Sequence, residues 1–259
     1  MIDSRVPIVL EYPHITRMRL LFSSDMHVGH ALFNERKWLG FEKMLADPDT
    51  FVIFAGDMFE MATPRSKGSC YETSMHPREV KEWWINHLRP YKNKCLCLLD
   101  GNHEARAARD TDYFPLYDIA LALQIENRWR SCGAFVDLGV GRQSRGGSIG
   151  KPFRYIIRVN HKAQNLVNYG TADAFDNIDL FVAGHTHKPM DKPLGKLHYD
   201  LNKKFVTQRD VENVVCGSYL SYGGYAERDG MRPAADKLYL AYLDGTQKDI
   251  QTLGFHVRG

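Results

Sequence analysis

Short apolar runs, each bounded by polar or glycine-containing segments, recur along the chain. They are Met18 to Ser23 (MRLLFS), Phe51 to Ala55 (FVIFA), Cys95 to Leu99 (CLCLL), Arg154 to Val159 (RYIIRV), Leu180 to Ala183 (LFVA) and Val214 to Cys216. Runs of this length and composition predict buried β-strands. Between the early ones the spacing changes to that of a helix. Asn34 can cap a helix whose Trp38, Phe41 and Leu45 share one face, and Pro77 opens a second with Val80, Trp84 and Leu88 in a stripe. Pro115 begins a third, with Leu116, Ile119 and Leu123 at helical spacing. Strand and helix alternate through the first half, and the second half is strand-rich, ending in Lys237 to Leu243 (KLYLAYL). The pattern predicts an α/β fold, sheets covered by helices, in a single domain spanning residues 1–259.

The polar residues just beyond each strand are more informative. Asp25-Met26-His27 comes after the first, Gly56-Asp57 after the second and Gly101-Asn102-His103-Glu104 after the third; His161 comes after the fourth and Gly184-His185-Thr186-His187 after the fifth. Each block places carboxylate, amide or imidazole groups just past the carboxyl end of a strand, where open α/β folds bind ligands. A lone Asp-x-His or Gly-Asp means little, but five blocks in succession point to a metal site.

The chemistry fits two metal ions sharing a bridging carboxylate and activating a water between them. Asp57 is the natural bridge; Asp25, His27 and His187 can complete one site, and Asn102, His161 and His185 the other. Imidazole-rich ligation with hard oxygen suits a transition metal, Mn foremost, with Fe or Zn as alternatives. His103, beside Asn102 but outside the ligand set, can give a proton to a departing alkoxide. Glu104 is expected to stabilise the start of a helix running from Asn102 to Asp110. Arg106 and His30 are candidate substrate-binding residues. Two irregular segments, Met61 to Met75 and Val140 to Lys151, are expected to border the site and set substrate choice.

In order and in residue type, the five blocks resemble the calcineurin-like metallophosphoesterase superfamily, whose signature is D-x-H, G-D, G-N-H-[DE], H and G-H-x-H. The resemblance runs from Asp25 to His187 and implies a four-layer α/β-β/α sandwich with two mixed sheets and a dinuclear centre. It implies hydrolysis of phosphate esters, diester or monoester, by attack of metal-bound hydroxide. GDMFEMAT, KEWWINHLRP, GNHEAR, GHTHKP and GGYAE are further similar to calcineurin-like proteins encoded by phages and prophages. His161 departs from the family pattern, standing in Asn-His-Lys rather than in a glycine-rich His-Gly turn.

Composition narrows the alternatives. With 44% hydrophobic and 25% charged residues the chain is ordinary globular protein, and its net charge of +3 falls short of a domain built chiefly to hold nucleic acid. A nuclease of the repair-exonuclease type stays open, because Gly-Asn-His-Glu also resembles that branch and Arg142, Arg145, Lys151 and Arg154 could touch a nucleic-acid backbone. A non-catalytic binding protein is the other alternative, but no ligand and no proton donor is missing. The five cysteines are an odd number, and Cys95 and Cys97 alternate with leucines as buried strand residues do, which predicts a reducing, cytoplasmic setting. The N-terminal stretch lacks the basic and apolar regions of a signal peptide, and nothing approaches the ~18 apolar residues of a membrane span.

Overall fold

The computed structural model describes residues 4–62, 73–145, 148–162, 177–202 and 204–257. Its strands are β1 (Ile8–Tyr12), β2 (Arg17–Ser23), β3 (Thr50–Phe54), β4 (Cys95–Leu99), β5 (Trp129–Arg130), β6 (Ala134–Val140), β7 (Ser144–Arg145), β8 (Ser148–Ile149) and β9 (Phe153–Lys162). They continue with β10 (Leu180–Gly184), β11 (Met190–Asp191), β12 (Leu194–Asp200), β13 (Phe205–Val215), β14 (Leu238–Asp244) and β15 (Ile250–Phe255). The helices are α1 (Glu35–Leu45), α2 (Pro77–Leu88), α3 (Asn102–Thr111), α4 (Pro115–Leu123) and the short α5 (Tyr225–Arg228).

Two mixed sheets result, as expected. The six-stranded sheet has the order β15-β14-β2-β3-β4-β5, and the seven-stranded one β1-β6-β9-β10-β13-β11 with β12 added to β13. Their inner faces form one core, in which Leu20, Phe22, Ile53 and Leu99 meet Val136, Tyr155, Ile157 and Val182. Helices cover the outer face of the six-stranded sheet: the predicted stripes of Trp38, Phe41 and Leu45, of Val80, Trp84 and Leu88, and of Leu116, Ile119 and Leu123 are all buried there. Asn34 caps α1 as its position suggests, its Oδ1 accepting from Lys37 N at 3.0 Å. The outer face of the other sheet carries a smaller cluster around Phe181 and Val211, and no described helix covers it. No described helix is long and apolar enough to cross a membrane.

Strand direction decides what lies at the site. β2, β3 and β4 run parallel to one another, as do β9, β10 and β13, so the carboxyl ends of each set gather together. Backbone hydrogen bonds tie those ends to one another, from Asp25 N to Gly56 O at 3.0 Å and from Tyr219 N to Asp25 O at 3.0 Å.

The same register corrects one expectation. β6 and β9 are antiparallel, with Ala134 opposite Val159 and Val140 opposite Phe153. The described residues of the segment from Val140 to Lys151 therefore lie toward the amino end of β9, roughly 26 Å along the strand from His161, and do not border the site. Arg154, one of the basic residues expected to be available to a nucleic-acid backbone, is bound to Asp137 at 2.6 Å and Glu11 at 2.7 Å. Of the other segment, residues 63–72 lie outside the described residues. Its end lies close to the Asp25-Met26-His27 block, with Ser74 N donating to Gly29 O at 2.7 Å.

The two adjacent tryptophans of α2 give a test of this packing. Trp84 is fully buried and donates Nε1–H to Met58 O at 3.3 Å, whereas Trp83 is only partly buried. Trp84→Ala is expected to cost about 3–5 kcal/mol in chemical denaturation, and Trp83→Ala clearly less.

Candidate metal centre

The five blocks converge on one cluster, buried at Asp25, His27, Asp57 and His161 and open to solvent at His185 and His187. Asp25 is 0% and Asp57 1% exposed. His187 Nε2 lies 3.2 Å from Asp25 Oδ1 and 3.2 Å from His27 Nε2. His161 Nε2 lies 3.1 Å from Asp57 Oδ2 and 3.0 Å from Asn102 Oδ1, and the His161 and His185 rings stand 5.2 Å apart. Two groups competent to hold a metal ion result, Asp25 with His27 and His187, and Asp57 with His161 and His185. A third, of His27, Asp57 and His103, links them.

The backbone brings these groups together at a cost. Asp25 (φ 53°), His27 (φ 49°), Asp57 (φ 51°), His185 (φ 71°) and His187 (φ 56°) all adopt the left-handed conformation. A non-glycine residue takes it rarely, and such strain gathers at functional sites. Two glycines allow the close approach. A Cβ on Gly101 would collide with the side chain and backbone nitrogen of Asp57, and one on Gly184 with Ser24.

His161 reaches the cluster by strand alternation. Tyr155, Ile157 and Val159 point inward along β9, and two residues further the same face delivers the His161 imidazole. Its Nδ1–H donates to Ala55 O at 2.8 Å, which leaves Nε2 as the lone-pair nitrogen of the neutral ring, facing Asp57 and Asn102. His27 is placed in the same way, with Nδ1 3.0 Å from Glu60 Oε2 and Nε2 turned to His187. The Nε2 atoms of His27 and His187 face each other at 3.2 Å, and the His27 ring is backed by the Glu60 carboxylate, a donor arrangement suited to a cation.

The electrostatics agree. Burial opposes charge on Asp57, yet the hydrogen bond and positive charge of His161, with His103 and His27 nearby, hold its carboxyl well below the usual range. Burial likewise opposes charge on His161, but Asp57 outweighs it and lifts the imidazole to about 9. His103 goes the other way. Burial and the neighbouring His27 lower it to about 4, against the pull of Asp57 and Glu60.

The sequence matches the calcineurin-like phosphoesterase family model over residues 18–189, about two thirds of the chain. The chain belongs to the calcineurin-like phosphoesterase family. It is thereby a phosphoester hydrolase of a metal-dependent family, and the five blocks fall within the matched residues. No curated protein matches the sequence. Among solved structures, it is similar to a metallophosphoesterase from Sphaerobacter thermophilus at 14% identity and a TM-score of 0.44, covering 93% of this chain and 90% of that one. Similar values relate it to Yfce, a phosphoesterase from E. coli, with 16% identity, a TM-score of 0.42, and 93% of this chain and 100% of that chain covered.

Within this member of the family two carboxylates do more than the sequence suggests. Glu104, expected only to stabilise a helix start, accepts from Gly101 N at 2.8 Å and also from Asp57 N at 3.1 Å and Phe59 N at 2.9 Å. It thus straps the loop after β3 to the loop after β4. Glu60 is not among the residues expected at the site, although it stands three residues after Asp57; buried, it lies 3.0 Å from His27 Nδ1 and 3.5 Å from His103 Nδ1. The signal available in the sequence is an acid inside the Gly-Asp block, GDMFE. Of the two substrate candidates, Arg106 donates to Met61 O at 3.5 Å, and His30 lines a groove with His185 and His187.

The Glu104 strap is testable without touching any candidate ligand. Glu104→Gln keeps the volume but replaces one acceptor oxygen by a donor facing a backbone N–H, which costs about 1–3 kcal/mol. The expected result is a lower denaturation midpoint together with weaker Mn binding in isothermal titration. The same loss of stability with unchanged Mn affinity would show that the strap does not position the site.

Proposed function

We propose that the chain hydrolyses phosphate esters with two divalent transition-metal ions, Mn foremost, held by Asp25, His27, Asp57, Asn102, His161, His185 and His187. The observation that supports this most is the position of Asp57, whose carboxylate belongs both to the group with His27 and His103 and to the group with His161 and His185. Bound there, divalent ions supply positive charge for the phosphate and an acidified water as nucleophile. Asp25, His27 and His187 hold one end of the cluster, and Asn102, His161 and His185 the other. Ala55 O and Glu60 fix the ring orientations of His161 and His27, so that each offers Nε2 inward. Arg106 is assigned to the substrate side of His103, whose charge it disfavours.

His103 acts on the leaving oxygen. It stands at the edge of the cluster, its Nε2 3.9 Å from Asp57 Oδ2, and it retains 14% side-chain exposure. Its proton is costly to keep. Burial and the neighbouring His27 disfavour the charged ring, whereas general-acid assistance, worth ~3–5 kcal/mol, needs it protonated. The acid role therefore depends on the anionic phosphate ester and Glu60 restoring the proton when substrate binds.

A nuclease is the second reading, and the structure gives it less support. Arg154 is committed to Asp137 and Glu11, and the described residues of the segment from Val140 to Lys151 lie toward the far end of β9.

A leaving-group series tests the proposal. His103→Asn is expected to retain its metal content and to lose about 10²–10⁴-fold in rate on alkyl phosphate esters, but far less on nitrophenyl esters, whose phenolate departs unaided. Equal losses on both series, with metal content intact, would remove the acid role and leave His103 stabilising charge on the phosphate.

A further inference from the structure

Beside His185 and His187 lies a groove of about 790 Å³ whose outer wall is the segment from Ser218 to Asp236. That segment lies beyond residues 18–189, the part matched by the family. It is anchored directly on the ligand loops. Ser218 Oγ donates to Asp25 O at 2.9 Å, Asn34 N to Tyr219 O at 2.8 Å and Ser221 N to Leu32 O at 2.9 Å. Beyond these anchors the chain loops outward through Gly223 and Gly224 and the short α5, and Tyr222 Oη donates to Met231 O at 2.7 Å to close the loop.

The lining has a definite chemistry. Lys188 and Arg232 are exposed cations with no carboxylate partner among the described residues. Of the three acids in that segment, Glu227, Asp229 and Asp236, Asp236 alone lines the groove, and it is already paired with Lys37. Leu32 and Leu220 contribute apolar surface, and Tyr222 stands 48% exposed on the wall. A cationic rim beside an aromatic face, next to a phosphate-handling cluster, matches an anion joined to a flat ring. The bounded volume falls in the range of small-molecule sites and suits a nucleotide better than an extended strand.

We infer that the groove walled by Ser218 to Asp236 binds the nucleoside part of a nucleotide substrate, with Tyr222 stacking on the base and Arg232 and Lys188 meeting a second phosphate. This rests on the reading that the reacting phosphate sits at the Asp57 cluster. Tyr222, Arg232 and Lys188 are then specificity-determining residues, and the substrate class is a nucleoside diphosphate or a larger anhydride built on one; the bond broken is the anhydride P–O bond, and the departing phosphate, unlike an alkoxide, leaves without a proton from His103.

The test uses the Mn-loaded full chain and two probes, methylenebisphosphonate and α,β-methylene-ADP, which share a P–CH2–P bridge that cannot be hydrolysed and differ by the nucleoside. Isothermal titration is expected to show the nucleotide analogue binding at least about tenfold more tightly, in keeping with base stacking on an aromatic side chain. Tyr222→Ala removes most of that advantage and leaves bisphosphonate affinity in place; Tyr222→Phe, which keeps the ring and loses the hydrogen bond to Met231, restores it. Arg232→Ala weakens both probes. Equal affinities in the unaltered protein, or an advantage that survives Tyr222→Ala in a protein whose melting is unchanged, would overturn the inference. So would a short single-stranded oligonucleotide competing more strongly than the nucleotide. If the protein hydrolyses no ester with Mn and yet shows the Tyr222-dependent advantage, the groove assignment stands and the hydrolytic reading falls.

Discussion

Two carboxylates, Asp25 and Asp57, are taken almost wholly out of water in one cluster, and much of the surrounding structure answers that burial. An uncompensated buried charge is costly, so it must be paired or coordinated. In the protein as described, imidazoles do the pairing: His187 stands against Asp25 and His161 against Asp57, which raises His161 to about 9. In the proposed chemistry a metal ion beside His161 Nε2 would take over the neutralisation of Asp57, and metal affinity and protonation of this cluster would then be in competition, as expected wherever ligands must lose a proton to bind.

The burial also explains the strain. Five candidate ligands stand in the left-handed backbone region, a conformation costing each non-glycine residue on the order of 1 kcal/mol or more. Strained turns of this kind persist only when their surroundings over-determine them. Here the strap from Glu104 to three backbone N–H groups, the missing Cβ of Gly101 and the Ala55 carbonyl on His161 provide that constraint. Rigid parallel strands supply the platform, and the loops at their carboxyl ends carry the chemistry, so stability and function occupy different parts of the same elements.

Much of this is legible in the sequence because it rests on local patterns. Helical stripes such as Val80, Trp84 and Leu88 read directly as buried faces, and ligand blocks after apolar runs locate the strand ends. His161 departs from the family turn, yet strand alternation from Tyr155 carries it to the cluster. The features that escape a sequence reading depend on strand direction and long-range packing. β12 and the first half of β13 are mostly exposed, so they present no buried run. Val140 to Lys151 looks adjacent to His161 because it precedes β9, but that strand runs its whole length before reaching the site. Glu60, inside GDMFE, and the wall from Ser218 to Asp236, which contains GGYAE, lie in recognisable motifs, but only the fold shows that they stand beside the histidines.

In the proposed chemistry one buried carboxylate, that of Asp57, joins two metal positions. Anomalous diffraction at the Mn absorption edge, from crystals grown with Mn, tests this directly. Two peaks per chain are expected, ~3.5–4 Å apart, one beside Asp25, His27 and His187, the other beside Asn102, His161 and His185, with Asp57 reaching both. A single peak at full occupancy, or two peaks of which only one lies within bonding distance of Asp57, would contradict it.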